Sequence, residues 1–143
     1  MCACWKHLSM KELLVETKQN EEFIDITDLV NKSLSSEKIK EGILHIFVPH
    51  ATAGLIINEN ADPNVSKDIL NLLNKIVPKG KWLHDKVDSN GDAHIKSSLI
   101  GNSVSIPVKD GKLCLGTWQD IFLCEFDGPR QRKIILNLIP IIK

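Results

Sequence analysis

A chain of 143 residues with 43% apolar and 25% charged content has the size and composition of one globular domain spanning 1–143. Its 18 basic and 18 acidic residues cancel, which argues against a nucleic-acid partner, because counterion release needs a basic face. The longest apolar runs, "ILHIFV" and "IILNLIPII", fall well short of the ~20 residues of a membrane span. The start also lacks the apolar core of a secretory signal, so a cytoplasmic protein with no membrane partner is expected.

In chain order, "KELLVETK" and "EFIDIT" read as strands parted by the polar "KQNEE". "TDLVNKSLSS" reads as a helix capped by Thr27 or Asp28, with Leu29, Val30 and Leu34 on one side. "GILHIFVPH" alternates with period two: Leu44, Ile46, Val48 and His50 share one face, and Ile43, His45 and Phe47 the other. A strand apolar on both faces is expected to be central and covered on both sides. "GLIINE" follows as another strand. "DPNVSKDILNLLNKIVP" is the clearest helix, with Asp62 as N-cap, Pro63 at the first position and an apolar stripe of Val65, Ile69, Leu72, Leu73 and Ile76. "AHIKSSLI" reads as a short helix capped by Asp92, burying Ile95 and Leu99 and ending at Gly101. "SVSIPV", "KLCLGTW", "DIFLCEF" and "RKIILNLIPII" complete the strands, and the whole reads as α+β with a largely antiparallel sheet.

Cys2, Cys4, Cys114 and Cys124 lack paired C-x-x-C spacing, so a zinc ribbon is not expected and free thiols are the default. A tight hairpin centred on Gln119 would set Cys114 opposite Cys124 and leave a disulfide conceivable. Trp118, at a probable turn, reads as core or subunit interface.

Five histidines are present. His7 gets no functional reading, and His45 reads as a core or interface histidine with one hydrogen bond. His50 stands where an apolar strand meets the small residues of "PHATAG", a place where side chains can face a cavity. His84 and His94 flank "DKVDSNGDA", a loop that Asn90–Gly91 can fold back to bring both imidazoles together. Asp85 and Asp88 could orient their N–H groups or act as base, and a solvated polar turn is the alternative. Glu59 stands unexplained in "NENADP". The first turn of the helix near Ala93 offers free N–H groups, so a phosphate or carboxylate subsite with Lys96 and Arg130 is expected. Arg130 and Arg132 are the chain's two arginines beside sixteen lysines. Guanidinium forks suit phosphate, although an ion pair across subunits explains one of them equally well.

The segments "PHATAGLIINENADPNV", "HDKVDSNGDAHIKSSLIGNSVSIPV" and "GKLCLGTWQDIFLCEFDGPRQRKIIL" strongly resemble the YjbQ-like family, also called the secondary thiamine-phosphate synthase family. The resemblance runs from about Trp5 to the C-terminus and is carried by H-x-T-A, N-E-N-x-D-P, H-D, H-I-K-S-S and G-T-W-Q. It implies an α+β fold whose largely antiparallel bifurcated sheet curls into a partial barrel with two main helices. It also implies a homotrimer with sites near subunit boundaries, and a histidine cluster carried onto His50, His84 and His94 with Glu59 and Lys96 nearby. Three neutral imidazoles suit zinc better than magnesium, although magnesium suits diphosphate chemistry. The expected metal ligands are therefore His50, His84 and His94, with Glu59, Asp88 and Lys96 as catalytic groups. The implied activity is weak formation of thiamine phosphate from a pyrimidine diphosphate and a thiazole phosphate. A metal-dependent enzyme acting on a small anionic substrate and a non-catalytic homotrimer binding a metal or metabolite both remain open.

Overall fold

The computed structural model describes residues 9–141. Strands β1 (Ser9–Glu16) and β2 (Glu22–Asp25) lead into helix α1 (Thr27–Ser35), and β3 (Gly42–Phe47) and β4 (Ala53–Glu59) into α2 (Pro63–Ile76). A single 3-10 turn (Leu83–Lys86) precedes α3 (Gly91–Ile100). The chain ends with β5 (Ser103–Lys109), β6 (Lys112–Leu113), β7 (Gln119–Glu125) and β8 (Gln131–Pro140). Every strand pairing is antiparallel, in two sheets ordered β1-β8-β3-β5-β6 and β2-β7-β4.

The α+β class and the curled antiparallel sheet agree with expectation, but the helix count does not: the described residues form three helices and a 3-10 turn, not two main helices. The third is α3, ten residues long. Its buried residues are Gly91, Asp92, Ala93, Lys96 and Ser97, small or charged rather than aliphatic. The short helix expected over "AHIKSSLI" is thus present and begins two residues earlier, at Gly91, with little apolar stripe. Leu99, expected inside, is 59% exposed. Asp92 does not cap the helix; Asn90 holds that position.

The main core lies between the sheets and α1, where Leu44, Ile46 and Val48 of β3 and its extension meet Leu55, Ile121, Leu123, Ile134, Leu136 and Val30. A second cluster on the far face of the three-stranded sheet joins Phe122, Cys124 and Phe126 to Leu73 of α2 and Ala93 of α3. Asp62 caps α2 as read, its carboxylate accepting from Asn64 N–H at 2.9 Å. The N-cap position of α1 is Ile26, not Thr27 or Asp28, and it has no side-chain cap bond; Asp25, just before it, accepts from Thr27 N–H at 2.9 Å. β3 is central, between β8 and β5, but its outer face is only partly covered by the described residues. Ile43, directly opposite Ile139 and Pro107, stays exposed. On α2 the stripe is also only partly buried: Leu73 is inside while Leu72 and Ile76 are open. Cys114 is exposed and Cys124 buried, and both are free thiols. β6 pairs with β5, whereas β7 lies in the other sheet, so no hairpin sets the two cysteines opposite each other. Cys2, Cys4, Trp5 and His7 lie outside the described residues.

Candidate functional site

His50 follows the end of β3, where Val48 N–H donates to Asn102 O at 2.8 Å and so ties the strand to the chain leaving α3. Gly54 permits α3 to come this close: a Cβ there would sit 2.7 Å from Gly101 O and 2.8 Å from Ile100 Cγ2. Between strand end and helix lies an open cavity of about 420 Å³ lined by His50, Ala51, His94, Ser97, Ser98, Gly101 and Asn102. The Ser97 hydroxyl donates to Ala53 O at 2.6 Å and the Ser98 hydroxyl to His94 O at 2.8 Å. His50 Nε2 accepts from Lys133 N–H at 2.9 Å. Partial burial, and then the nearby Arg132 guanidinium, hold its pKa below the ordinary histidine value; Arg130 and Lys133 act in the same direction and Glu125 opposes them.

The 84–94 loop folds back, and His84 and His94 meet edge to face with ring centroids 4.8 Å apart and planes at 83°. Asp85 does the folding. Its carboxylate accepts from Trp82 N–H at 2.9 Å and Gly91 N–H at 2.8 Å, and these two bonds hold its pKa below the usual carboxylate value. The N-terminus of α3 is thus served by the protein's own anion, in the place where a ligand phosphate was expected. Asp88 stays exposed, 3.5 Å from His84 Nε2.

The zinc or other divalent ion expected from three histidines is not supported. Among the described residues no group of three or more His, Cys, Asp or Glu side chains comes together to hold a metal. The physical reason is clearest at His50. A neutral imidazole has one bare nitrogen, and at His50 that lone pair already accepts the Lys133 backbone N–H.

The remaining candidates fall on separate parts of the fold. Lys96 is fully buried on α3, its three donors taken by Glu21, by Asn74 Oδ1 at 2.7 Å and by Asp92 Oδ2 at 2.9 Å. It ties α3 to α2 and to the β1–β2 connection. Arg130 is exposed and pairs with Asp127 Oδ2 at 2.8 Å, which also accepts from Asn90 Nδ2 at 2.9 Å. Glu59 is half-buried at the end of β4, opposite Gln119. Neither Glu59, Asp88 nor Lys96 lines the cavity. His45 keeps its modest reading, with Asn137 Nδ2 3.5 Å from its Nδ1.

Sequence reasoning missed two features. Ser97, Ser98 and Asn102 line the cavity, and the "SS" and "GN" of "HIKSSLIGN" were the available signal. Beside His50 lies a buried network. Arg132 donates twice to Glu125, once from Nε at 2.7 Å, and also reaches Thr52 Oγ1 at 2.8 Å and Thr52 O at 3.1 Å. Glu125 also accepts from Thr17 Oγ1 at 3.0 Å and Asp127 N–H at 2.8 Å. Arg132 therefore pairs within its own chain.

These features describe a small α+β domain of two antiparallel sheets with a histidine-lined surface cavity at a strand end. The chain belongs to the family described as UPF0047 protein YjbQ-like, whose model matches residues 11–140. It is 51% identical over 125 residues to a UPF0047 protein of Methanocaldococcus jannaschii, covering 87% of this chain and 90% of that one. It is 43% identical to the UPF0047 protein YugU of Bacillus subtilis, covering 91% and 98%. Among solved structures, a protein of unknown function from Sulfolobus solfataricus P2 matches with TM-score 0.89 at 36% identity, over 94% of this chain and 98% of that one. An uncharacterized conserved protein from Clostridium acetobutylicum matches with TM-score 0.86 at 48% identity, over 90% and 99%. No described helix is long and apolar enough to cross a membrane.

Proposed function

We propose that the cavity between His50 and His94 binds a small phosphorylated molecule, with thiamine-phosphate formation as the candidate activity. The observation that carries this reading is the charge layout. Among the described residues the cavity walls hold no Lys, Arg, Asp or Glu, while Arg130 and Lys133 lie close enough to His50 to depress its pKa. An uncharged part of the ligand fits the walls, and a phosphate fits the exposed guanidinium of Arg130, which can exchange its surface pairing with Asp127 for a bidentate phosphate contact. Lys96 acts here as a positioning group that holds α3, and with it His94, in place. Binding without turnover is the second reading. It is favoured by the lining itself, which lacks Glu59, Asp88 and Lys96 and, among the described residues, holds two histidines as its ionisable side chains.

The protein is further proposed to be a homotrimer. Met10, Leu14, Ile43 and Ile139 are exposed on one face of the five-stranded sheet, where the pairings Met10–Asn137, Leu14–Lys133, His45–Asn137 and Ile43–Ile139 place them. Exposed apolar side chains on a face that also carries the Glu12–Lys133 ion pair suit a subunit interface.

The test is formation of thiamine phosphate from the pyrimidine diphosphate and thiazole phosphate by the wild type and by His94→Ala. Turnover that His94→Ala lowers at least tenfold supports the enzyme reading. Tight binding of either phosphate without turnover selects the binding reading, and absence of both removes the proposal. Light scattering at micromolar concentration checks the trimer, which a stable monomer would rule out.

A further inference from the structure

We propose that His50 is a specificity-determining hydrogen-bond donor, fixed as its Nδ1–H tautomer by the backbone of β8, so that the cavity selects ligands presenting an uncharged acceptor beside it. This rests on the reading that the cavity binds a phosphorylated ligand, and it names the chemistry of the other end of that ligand.

The argument starts from proton bookkeeping. A backbone N–H can only donate, so Lys133 N–H at 2.9 Å from His50 Nε2 requires a bare lone pair on that nitrogen. A neutral imidazole with Nε2 bare carries its proton on Nδ1. The neutral form is favoured by the partial burial of the ring and by the guanidinium of Arg132. Among the described residues Nδ1 has no protein partner, and it is not a buried orphan. His50 lines the cavity, and with Nε2 taken by Lys133 N–H, Nδ1–H is the ring's polar group left for a ligand.

The opposite wall has the opposite polarity. Ser97 and Ser98 spend their hydroxyl protons on Ala53 O and His94 O, so each hydroxyl offers only lone pairs. Asn102 supplies both a donor and an acceptor. A donor at one wall, acceptors at another and no charge between them fit an uncharged group with an acceptor beside an N–H. An amide has this pattern, and so does the edge of a nitrogen heteroaromatic ring. A ring carbon in place of the acceptor would leave the His50 N–H desolvated and unpaired, which is how a polar site rejects an apolar isostere.

Two measurements test this on the full wild-type chain. Long-range ¹H–¹⁵N spectra of labelled protein, with His50→Gln to assign the ring, should show Nδ1 protonated and Nε2 bare at about pH 8, well above the ordinary histidine pKa. A protonated Nε2 overturns the proposal. Calorimetry then compares benzyl phosphate with the three pyridylmethyl phosphates, which share its shape and phosphate but place one ring acceptor at different positions. At least one pyridyl isomer should bind roughly three- to tenfold tighter than benzyl phosphate. Equal binding of all four overturns the donor role of His50 and leaves the phosphate reading standing. Failure of all four to bind overturns the phosphate reading, and this inference falls with it.

Discussion

Replacing Arg132 with methionine keeps much of the side-chain volume and removes the cation from the buried network. The side chains of Arg132 and Glu125 are 2% and 0% exposed. Without the guanidinium, the Glu125 carboxylate keeps Thr17 Oγ1–H and Asp127 N–H as donors, and the Thr52 hydroxyl loses its partner while Thr52 O keeps Phe126 N–H. Breaking one side of a buried pair costs roughly 3–5 kcal/mol. The two surviving donors place Arg132→Met toward the lower end, about 3 kcal/mol. At about 3 °C per kcal/mol for a chain of this size, the melting temperature should fall by about 9 °C. The assay is thermal and urea unfolding at one fixed protein concentration, because oligomer stability depends on concentration. The double variant Arg132→Met/Glu125→Leu removes both charges and should lose less than the single variant, because no uncompensated carboxylate remains buried. A loss under about 1 kcal/mol in Arg132→Met, or a double variant worse than the single, would refute the reasoning. A second readout is local: the guanidinium helps to depress the pKa of His50, so its removal should raise that pKa.

Three further expectations follow from the same geometry. Gly54→Ala should displace the end of α3, because the added Cβ meets Gly101 O at 2.7 Å; calorimetry should then show ligand binding at the cavity weakened more than overall stability. His50 has a folded-state pKa below the unfolded value of about 6.5. The unfolded chain therefore binds more protons just below that pH, and stability should drop as pH falls from about 6.5 toward the folded value. Urea unfolding across that window should show a slope that His50→Gln flattens. Asp62→Ala removes the cap on Asn64 N–H and should cost about 1 kcal/mol in urea unfolding.

The sequence by itself determined much of the secondary structure, because the signals are local. Alternation in β3 placed Leu44, Ile46 and Val48 on one face, which is the buried one, and Asp62–Pro63 marked the start of α2. Asn90–Gly91 indicated a loop that returns, and His84 and His94 do meet across it. The family, too, was legible, since its motifs are runs of adjacent residues. Only the tertiary structure could decide what each polar group spends its bonds on. Lys96 looked like a phosphate ligand, yet it is buried between Asp92 and Glu21, 75 positions away. Arg130 and Arg132 looked alike, as phosphate forks or as an ion pair across subunits for one of them, yet Arg132 is buried and pairs with Glu125. His50 looked like a metal ligand, yet its lone pair is taken by a backbone N–H 83 positions away. Residue type states how many donors and acceptors a side chain has. Which of them remain free for a ligand depends on partners that folding brings from distant parts of the chain, and no local pattern encodes those.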